Sequence, residues 1–268
     1  MDIATLIGLI GGFIIVVIVM ILDGGSPMEL LSHPSAILLT MGGALTASMA
    51  SFPLSATVKL PKYFAIAMKE SKFDIAGAIE LIARMADTAR REGLLALEEQ
   101  SKKIEDEFLR KGVMLVVDGT DPAQVRAILE IEIKQMEERH GEGIGFLASA
   151  GGYGPTLGII GTVMGLITVL KQLDDPGALG QHIAAAFLAT LWGIMSANLI
   201  WLPLSSKLRV RSEGEAKYRY LLLEGIIALQ AGENPRLVRE KLMAYLPPKQ
   251  RAAAETAAGE VRPAGAEA

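Results

Sequence analysis

Four uncharged apolar runs alternate with charged stretches along this chain of 268 residues. The first, Ile3 to Leu22, goes twenty residues without a charged side chain, the length one helix needs to cross a bilayer. It has neither the basic start nor the small-residue cleavage site of a signal peptide, so it is expected to be retained. After a turn at Asp23–Pro27, a second run from about Ser35 to Phe52 carries Gly42, Gly43, Ala44, Ala47 and Ala50 as a small face. Pro53, Lys59 and Lys62 mark its end. The third run spans Phe146 to Leu170 and the fourth about Leu179 to Leu204, with a short turn at Asp174-Asp175-Pro176-Gly177 between them. The pattern predicts an all-α membrane protein with four transmembrane helices.

Between the second and third runs the spacing stays helical but the character becomes water-soluble. Residues 54–145 hold fourteen Lys/Arg and seventeen Asp/Glu. Ile75, Ile79, Ile82, Ala83 and Ala86 form one apolar stripe, broken at Gly93. A further helix is expected from about Leu94 to Val116. Asp121 then caps the next helix, Pro122 takes its first position, and Gln124 stands where a capping box wants it. Past Lys207, Arg209 and Arg211, Tyr218, Leu221, Leu222 and Ile226 mark an amphipathic helix, and Asn234-Pro235 opens a last one that ends at Pro247-Pro248. The expected organisation is therefore transmembrane helices 1–2 in 1–53, a cytoplasmic helical domain in 54–145 and transmembrane helices 3–4 in 146–206. Cytoplasmic C-terminal helices follow in 207–250, and a tail in 251–268 has too little apolar surface to fold.

Composition narrows the chemistry. Half of the residues are hydrophobic (51%) and the formal net charge is only −4, which places the chain among membrane proteins and gives no reason to expect nucleic acid. There is no cysteine, and the three histidines (His33, His140, His182) do not pair at ligand spacing. No nucleophile–base pair, metal cluster or cofactor loop is present, so neither an enzyme nor a bound cofactor is expected. The turn after the first run has no Lys or Arg and that after the third has at most Lys171, whereas the segment from Lys207 onward has eleven. The positive-inside rule puts both large polar segments and the N-terminus in the cytoplasm.

The third run is organised by Gly154, Gly158, Gly161 and Gly165, spaced four, three and four apart so that they share a helix face. Ala186, Thr190, Gly193 and Ala197 repeat that spacing in the fourth. Matching small-residue faces predict two helices packed closely and antiparallel. Thr162 and Thr168 put hydroxyls beside the groove. No Asp, Glu, Lys or Arg lies in any run, and His182 sits near an outer end. An ion carrier normally shows an ionisable group at membrane depth. Either Thr162, Thr190 and Ser196 only hydrogen-bond between helices, or a partner helix supplies a carboxylate and they line its path. Pro155 and Pro203, near the cytoplasmic ends of the third and fourth runs, are either bend points that couple the membrane to the cytoplasmic domain or plain helix-end prolines.

Gly154-Pro155, Gly158-Ile159-Ile160-Gly161-Thr162, Asp174-Asp175-Pro176, Leu188-Ala189-Thr190-Leu191-Trp192-Gly193, Asn198 and Pro203 resemble the MotA/PomA family of flagellar motor stator subunits, within the wider MotA/TolQ/ExbB superfamily. Gly42-Gly43, Phe52-Pro53 and the stretch from Arg90 to Glu98 match it too, and the likeness extends to about Pro248. The resemblance implies a homo-pentamer in the bacterial inner membrane around two copies of a MotB/PomB-like single-span subunit, which brings the membrane aspartate and a peptidoglycan-binding domain. Ion flow would turn the pentamer and drive a rotor switch protein of the FliG type, giving motility. By position, Thr162, Thr190, Ala189, Gly158 and Gly161 would belong to the ion pathway, Pro155 and Pro203 would couple, and Arg90, Arg91, Glu98 and Glu99 would meet the rotor. Taken without the resemblance, those four charges read as a solvated helix face. Sodium-type relatives tend to place two hydroxyls in succession at the positions of Ala189 and Thr190. The methyl group at Ala189 favours the proton as translocated ion, with sodium the alternative. Two other readings stay open: an ExbB/TolQ-like energy-transducing channel subunit, and a non-conducting membrane scaffold.

Overall fold

The computed structural model describes residues 2–70, 73–174, 176–248 and 251; Asp175 of the expected turn and the tail beyond Arg251 lie outside the described residues. Every regular element among the described residues is helical. The chain divides into two compact units, Met1–Ser71 with Glu138–Ser212, and Lys72–Glu137 with Glu213–Ala268.

In the first unit, helix Ile3–Leu22 starts where the Asp2 carboxylate accepts the Thr5 N–H at 3.2 Å, and none of its residues is buried. Water would not tolerate so many bare isoleucines, whereas lipid solvates them. The second run, expected as one span, is helical from Pro34 to Ser51 and carries a π turn, Leu38–Gly42, in its middle. Thr40, buried in mid-run, donates its hydroxyl to Ala36 O at 2.8 Å and competes with the backbone for that carbonyl. The bare backbone of Gly42 and Gly43 lets the turn widen, and Gly43 receives Leu157, whose Cδ1 lies 3.0 Å from where a Cβ would stand. Among the described residues, three helices are long and apolar enough to cross a membrane: Ile3–Leu22, Pro122–Lys171 and Leu179–Gln230.

The third run does not begin a helix of its own, because Pro122–Lys171 is continuous. Gly141, Gly143 and Gly145 weaken it without breaking it, and two of them have packing reasons to be small. A Cβ on Gly143 would stand 2.7 Å from the Tyr63 ring, and one on Gly145 3.1 Å from the Phe52 ring. Around them Tyr63, Leu147, Ala150, Trp201 and Leu204 form this unit's buried cluster. Asp2 also pairs with Lys207 and, at 3.9 Å, with Arg211, so the beginning of the first helix is tied to the fourth run's basic end. The hydrogen bond from Lys207 holds the Asp2 carboxyl below its usual range.

The second unit is a water-type core. Helix Ile75–Glu92 buries Ala78, Ile79, Ile82, Met85 and Ala86, close to the expected stripe, and stops at Gly93, whose φ of +88° suits a residue without a Cβ. The helix expected over Leu94 to Val116 is split into a 3₁₀ turn Leu94–Ala96, a short helix Leu97–Ser101 and a fresh helix Glu107–Val117. The restart has a local cause: the Asp106 carboxylate accepts the Leu109 N–H at 2.9 Å and caps a new first turn. Asp121 caps as expected, accepting the Ala123 N–H at 2.9 Å. Leu221, Leu222 and Ile226 are fully buried, and Asn234 caps Pro235–Met243 through the Arg236 N–H at 2.9 Å.

The Asp2 clamp makes a prediction. Asp2→Asn keeps a side-chain oxygen for the Thr5 N–H but loses the charge that holds Lys207 and Arg211. We expect a lower melting temperature for the purified membrane complex at neutral pH. A carboxyl with a depressed folded pKa stabilises above its unfolded value, here 3.8, and that contribution disappears as pH falls through the folded value. Acidification should therefore narrow the gap between wild type and variant; a gap that stays constant on acidification would show that the clamp contributes nothing.

Candidate ion pathway and rotor-facing charges

The third and fourth runs meet backbone to backbone. A Cβ built on Gly158 would stand 3.0 Å from both Ala189 O and Thr190 Cα, one on Gly161 2.5 Å from Ala189 Cβ, and one on Gly165 2.6 Å from Ala186 Cβ. From the other side, a Cβ on Gly193 would lie 2.6 Å from Gly154 O. Gly154, Gly158, Gly161 and Gly165 therefore all face the fourth run. Contacts run from Gly165 with Ala186 to Gly151 with Leu202, in the antiparallel sense the matched spacing predicts.

Four oxygens gather at the middle of this seam. Thr162 Oγ1 lies 3.2 Å from Gly158 O and 3.2 Å from Ala186 O, and Thr190 Oγ1 lies 3.3 Å from Gly158 O. The two hydroxyls are also hydrogen-bonded to one another. Thr162 bonds back to the carbonyl four residues before it on its own helix, while Thr190 reaches across the seam to Gly158 O. Hydrogen bonds between membrane helices contribute on average only about 0.6 kcal/mol. Stability alone is a weak reason for such a cluster. Spacing pointed to the hydroxyls but not to the carbonyls of Gly158 and Ala186; pairing each threonine with its fourth predecessor would have found them.

Ala189 is 4% exposed, with its methyl group directed at Gly161. It belongs to the seam itself. One edge of the seam opens on a cavity of about 300 Å³, where Gly161, Gly165, Ala186 and Ala189 meet Thr168 and His182. Trp192 Nε1 donates to Leu30 O at 2.8 Å and fixes the fourth run against the segment before Pro34.

Pro155 lies inside Pro122–Lys171, which remains helical through it. Pro203 follows a π turn, Ala197–Trp201, and takes the second position of Leu202–Gln230. A wider turn ahead of a proline accommodates its missing N–H and bulky ring. Leu202 packs at Gly151, which puts Pro203 roughly one turn from the level of Pro155.

The expected rotor-facing charges belong to the second unit. Arg90 and Arg91 occupy the last turn of Ile75–Glu92, and Glu98 and Glu99 the first turn of Leu97–Ser101. Arg91 pairs with Asp87 at 3.1 Å and Glu98 with Lys102 at 3.5 Å, each within its own helix or at its end. Arg90 and Glu99 form no ion pair among the described residues.

Residues 100–220 match the model of the MotA/TolQ/ExbB proton channel family. Motility protein A of Bacillus subtilis is 39% identical over 252 residues, covering 94% of this chain and 93% of its own length. The chain belongs to the MotA family. Chemotaxis protein PomA of Vibrio alginolyticus is likewise 39% identical, across 94% of this chain and 98% of its own. The fold is similar to the flagellar MotAB stator complex from Bacillus subtilis, with a TM-score of 0.86, 38% identity, and coverage of 93% of this chain and 98% of that one. C. jejuni MotAB gives a TM-score of 0.87 at 33% identity, over 92% and 97%. A MotA-type chain is thus matched along nearly its full length, and the seam, the hydroxyl pair and both prolines lie within the matched stretch.

The seam makes the second prediction. In Gly161→Val a branched side chain would enter the space of Ala189 Cβ and separate the two helices. We expect the variant to insert in the membrane at normal level yet to lose ion flux and motility. Normal swimming would show that the close approach is dispensable.

Proposed function

We propose that this chain is the ion-conducting stator subunit of a flagellar motor, working with a MotB-like partner to convert ion flow into torque on the rotor. The observation that carries the reading is the oxygen cluster of Thr162, Thr190, Gly158 and Ala186, set in a seam with no charged residue. Such a cluster accepts and passes water or a proton but holds no counter-charge. A carboxylate from a partner helix completes it, and the similarity to MotAB complexes supports a partner of that kind.

In this reading the chain crosses the inner membrane four times, the second crossing being the helical stretch Pro34–Ser51 with its π turn. Transmembrane residues are 1–53 and 146–206, and 54–145 and 207–250 are cytoplasmic, as are both termini. The asymmetry of Lys and Arg between short and long loops supports that orientation. Five copies surround two copies of the partner. Thr162 and Thr190 line the path, Gly158, Gly161 and Ala189 keep the helices close beside it, and Pro155 and Pro203 transmit bending. Arg90, Arg91, Glu98 and Glu99 meet the rotor protein of the FliG type. No cofactor is required. The full-length likeness to motility proteins favours this assignment over an ExbB/TolQ-like role.

The translocated ion is the proton. A sodium ion must exchange its water for several oxygens held at fixed positions. Here each threonine hydroxyl is already engaged by carbonyls and by its partner hydroxyl, and position 189 adds only a methyl group. A proton needs only a carboxylate and a chain of hydrogen bonds. Rotation of tethered cells should persist in sodium-free medium and stop when an uncoupler collapses the proton gradient. Rotation that follows the sodium gradient instead would overturn the choice of ion. Motors that keep full torque after deletion of this chain would overturn the stator role.

A further inference from the structure

The cavity at the edge of the seam is polar at one end and apolar at the other. Ser35, Thr168 and His182 line the end toward the two short turns, each from a different helix. Two helical turns from Thr168 and His182, about 10 Å, Gly161 and Ala189 line the other end. Ala186 is on the wall, and its carbonyl accepts the Thr162 hydroxyl, so the cavity runs up to the oxygen cluster. Thr168 donates to Met164 O at 3.1 Å and keeps lone pairs that accept. Ser35 and His182 have no side-chain hydrogen bond among the described residues. Polar groups so placed are satisfied by water, and three of them are enough partners to hold it.

The three histidines differ in how they are held. His33 Nδ1 lies 3.2 Å from Ser32 Oγ and its Nε2 3.3 Å from Gln181 O, and His140 Nδ1 lies 3.0 Å from Ser212 Oγ. The charged or titratable groups around His182 are His33, Lys171, Asp174, and Glu29 in the segment that Trp192 holds. None of them is paired with His182 among the described residues, which leaves its ring available for proton exchange. We propose that this cavity is the water-filled entrance of the proton path, with His182 as the group that loads it. Its imidazole takes a proton from water on the unprotonated ring nitrogen. It gives one back to cavity water from the other nitrogen and returns to the neutral form. The inference rests on the proton and the topology proposed above. It adds a route within one copy of the chain, between its second, third and fourth runs, by which protons reach Thr162 and Thr190.

The chain has no cysteine, so a single introduced one reports against a silent parent. Ser35→Cys and Thr168→Cys are made in the whole stator complex in cells, and a charged, membrane-impermeant thiol reagent is added outside. Both should be modified, and rotation should slow several-fold from each variant's own starting speed while the parent is unaffected. His182→Gln is compared with His182→Glu, which can exchange protons again, across external pH. Membrane level and co-purification of the MotB-like subunit are measured for each. The expected loss in His182→Gln is several-fold at alkaline pH and shrinks in acid, where hydronium is plentiful; His182→Glu should recover most of it. Cysteines that stay unmodified would overturn the water-filled entrance. A His182→Gln loss that is the same at every pH, or no loss at all, would overturn the role of His182. Modified cysteines in a motor that follows the sodium gradient would keep the entrance and overturn the proton reading on which His182 rests.

Discussion

Helices inside a bilayer gain almost nothing from the hydrophobic effect when they meet, because lipid solvates their apolar side chains as well as a neighbour does. The rest of the first unit depends on how this chain meets that constraint. Gly154, Gly158, Gly161 and Gly165 expose bare backbone to Ala186, Ala189 and Gly193, and approach within a distance no side chain would leave open. Only at that range can Thr162 reach the carbonyl of Ala186 on the facing helix. The glycines that would weaken a helix in water are thus what lets polar atoms from two helices meet at one site.

Much of this was legible in the sequence because periodicity on a helix is a spatial statement. Four-three-four spacing on both the third and fourth runs fixes which faces meet, and the stripe from Ile75 to Ala86 fixes what the second unit buries. The breaks were not legible for a related reason: they come from single side chains capturing single backbone groups. Thr40 takes a carbonyl and opens a π turn, and Asp106 takes an N–H and starts a new helix. Neither leaves a periodic trace. Of the site, spacing pointed to the hydroxyls, while the carbonyls and the inward turn of Ala189 needed coordinates.

The two units divide the labour by solvent. One exposes its isoleucines and hides its polar atoms, as lipid demands; the other buries Leu221, Leu222 and Ile226 and leaves its charges outside, as water demands. Polar residues are correspondingly sparse and functional in the first and abundant and individually weak in the second. The same residue type therefore carries different weight: a threonine in the seam matters more to the proposed activity than an ion pair on Leu97–Ser101.

The π turn Ala197–Trp201 has a consequence for how this helix tolerates change in length. A π turn holds one residue more than an α turn, so it resets the phase of everything that follows. Upstream lies Gly193 on the seam; downstream lie Leu204 and Leu208 in the buried cluster. Regularising the turn to α with the same number of residues would swing Leu204 and Leu208 by about 100° away from their partners, whereas deleting one residue would straighten the turn and leave both ends facing as they do. The irregular turn thus acts as a gear tooth that takes up one surplus residue: at this chain length, regularity there and correct facing of both ends exclude one another.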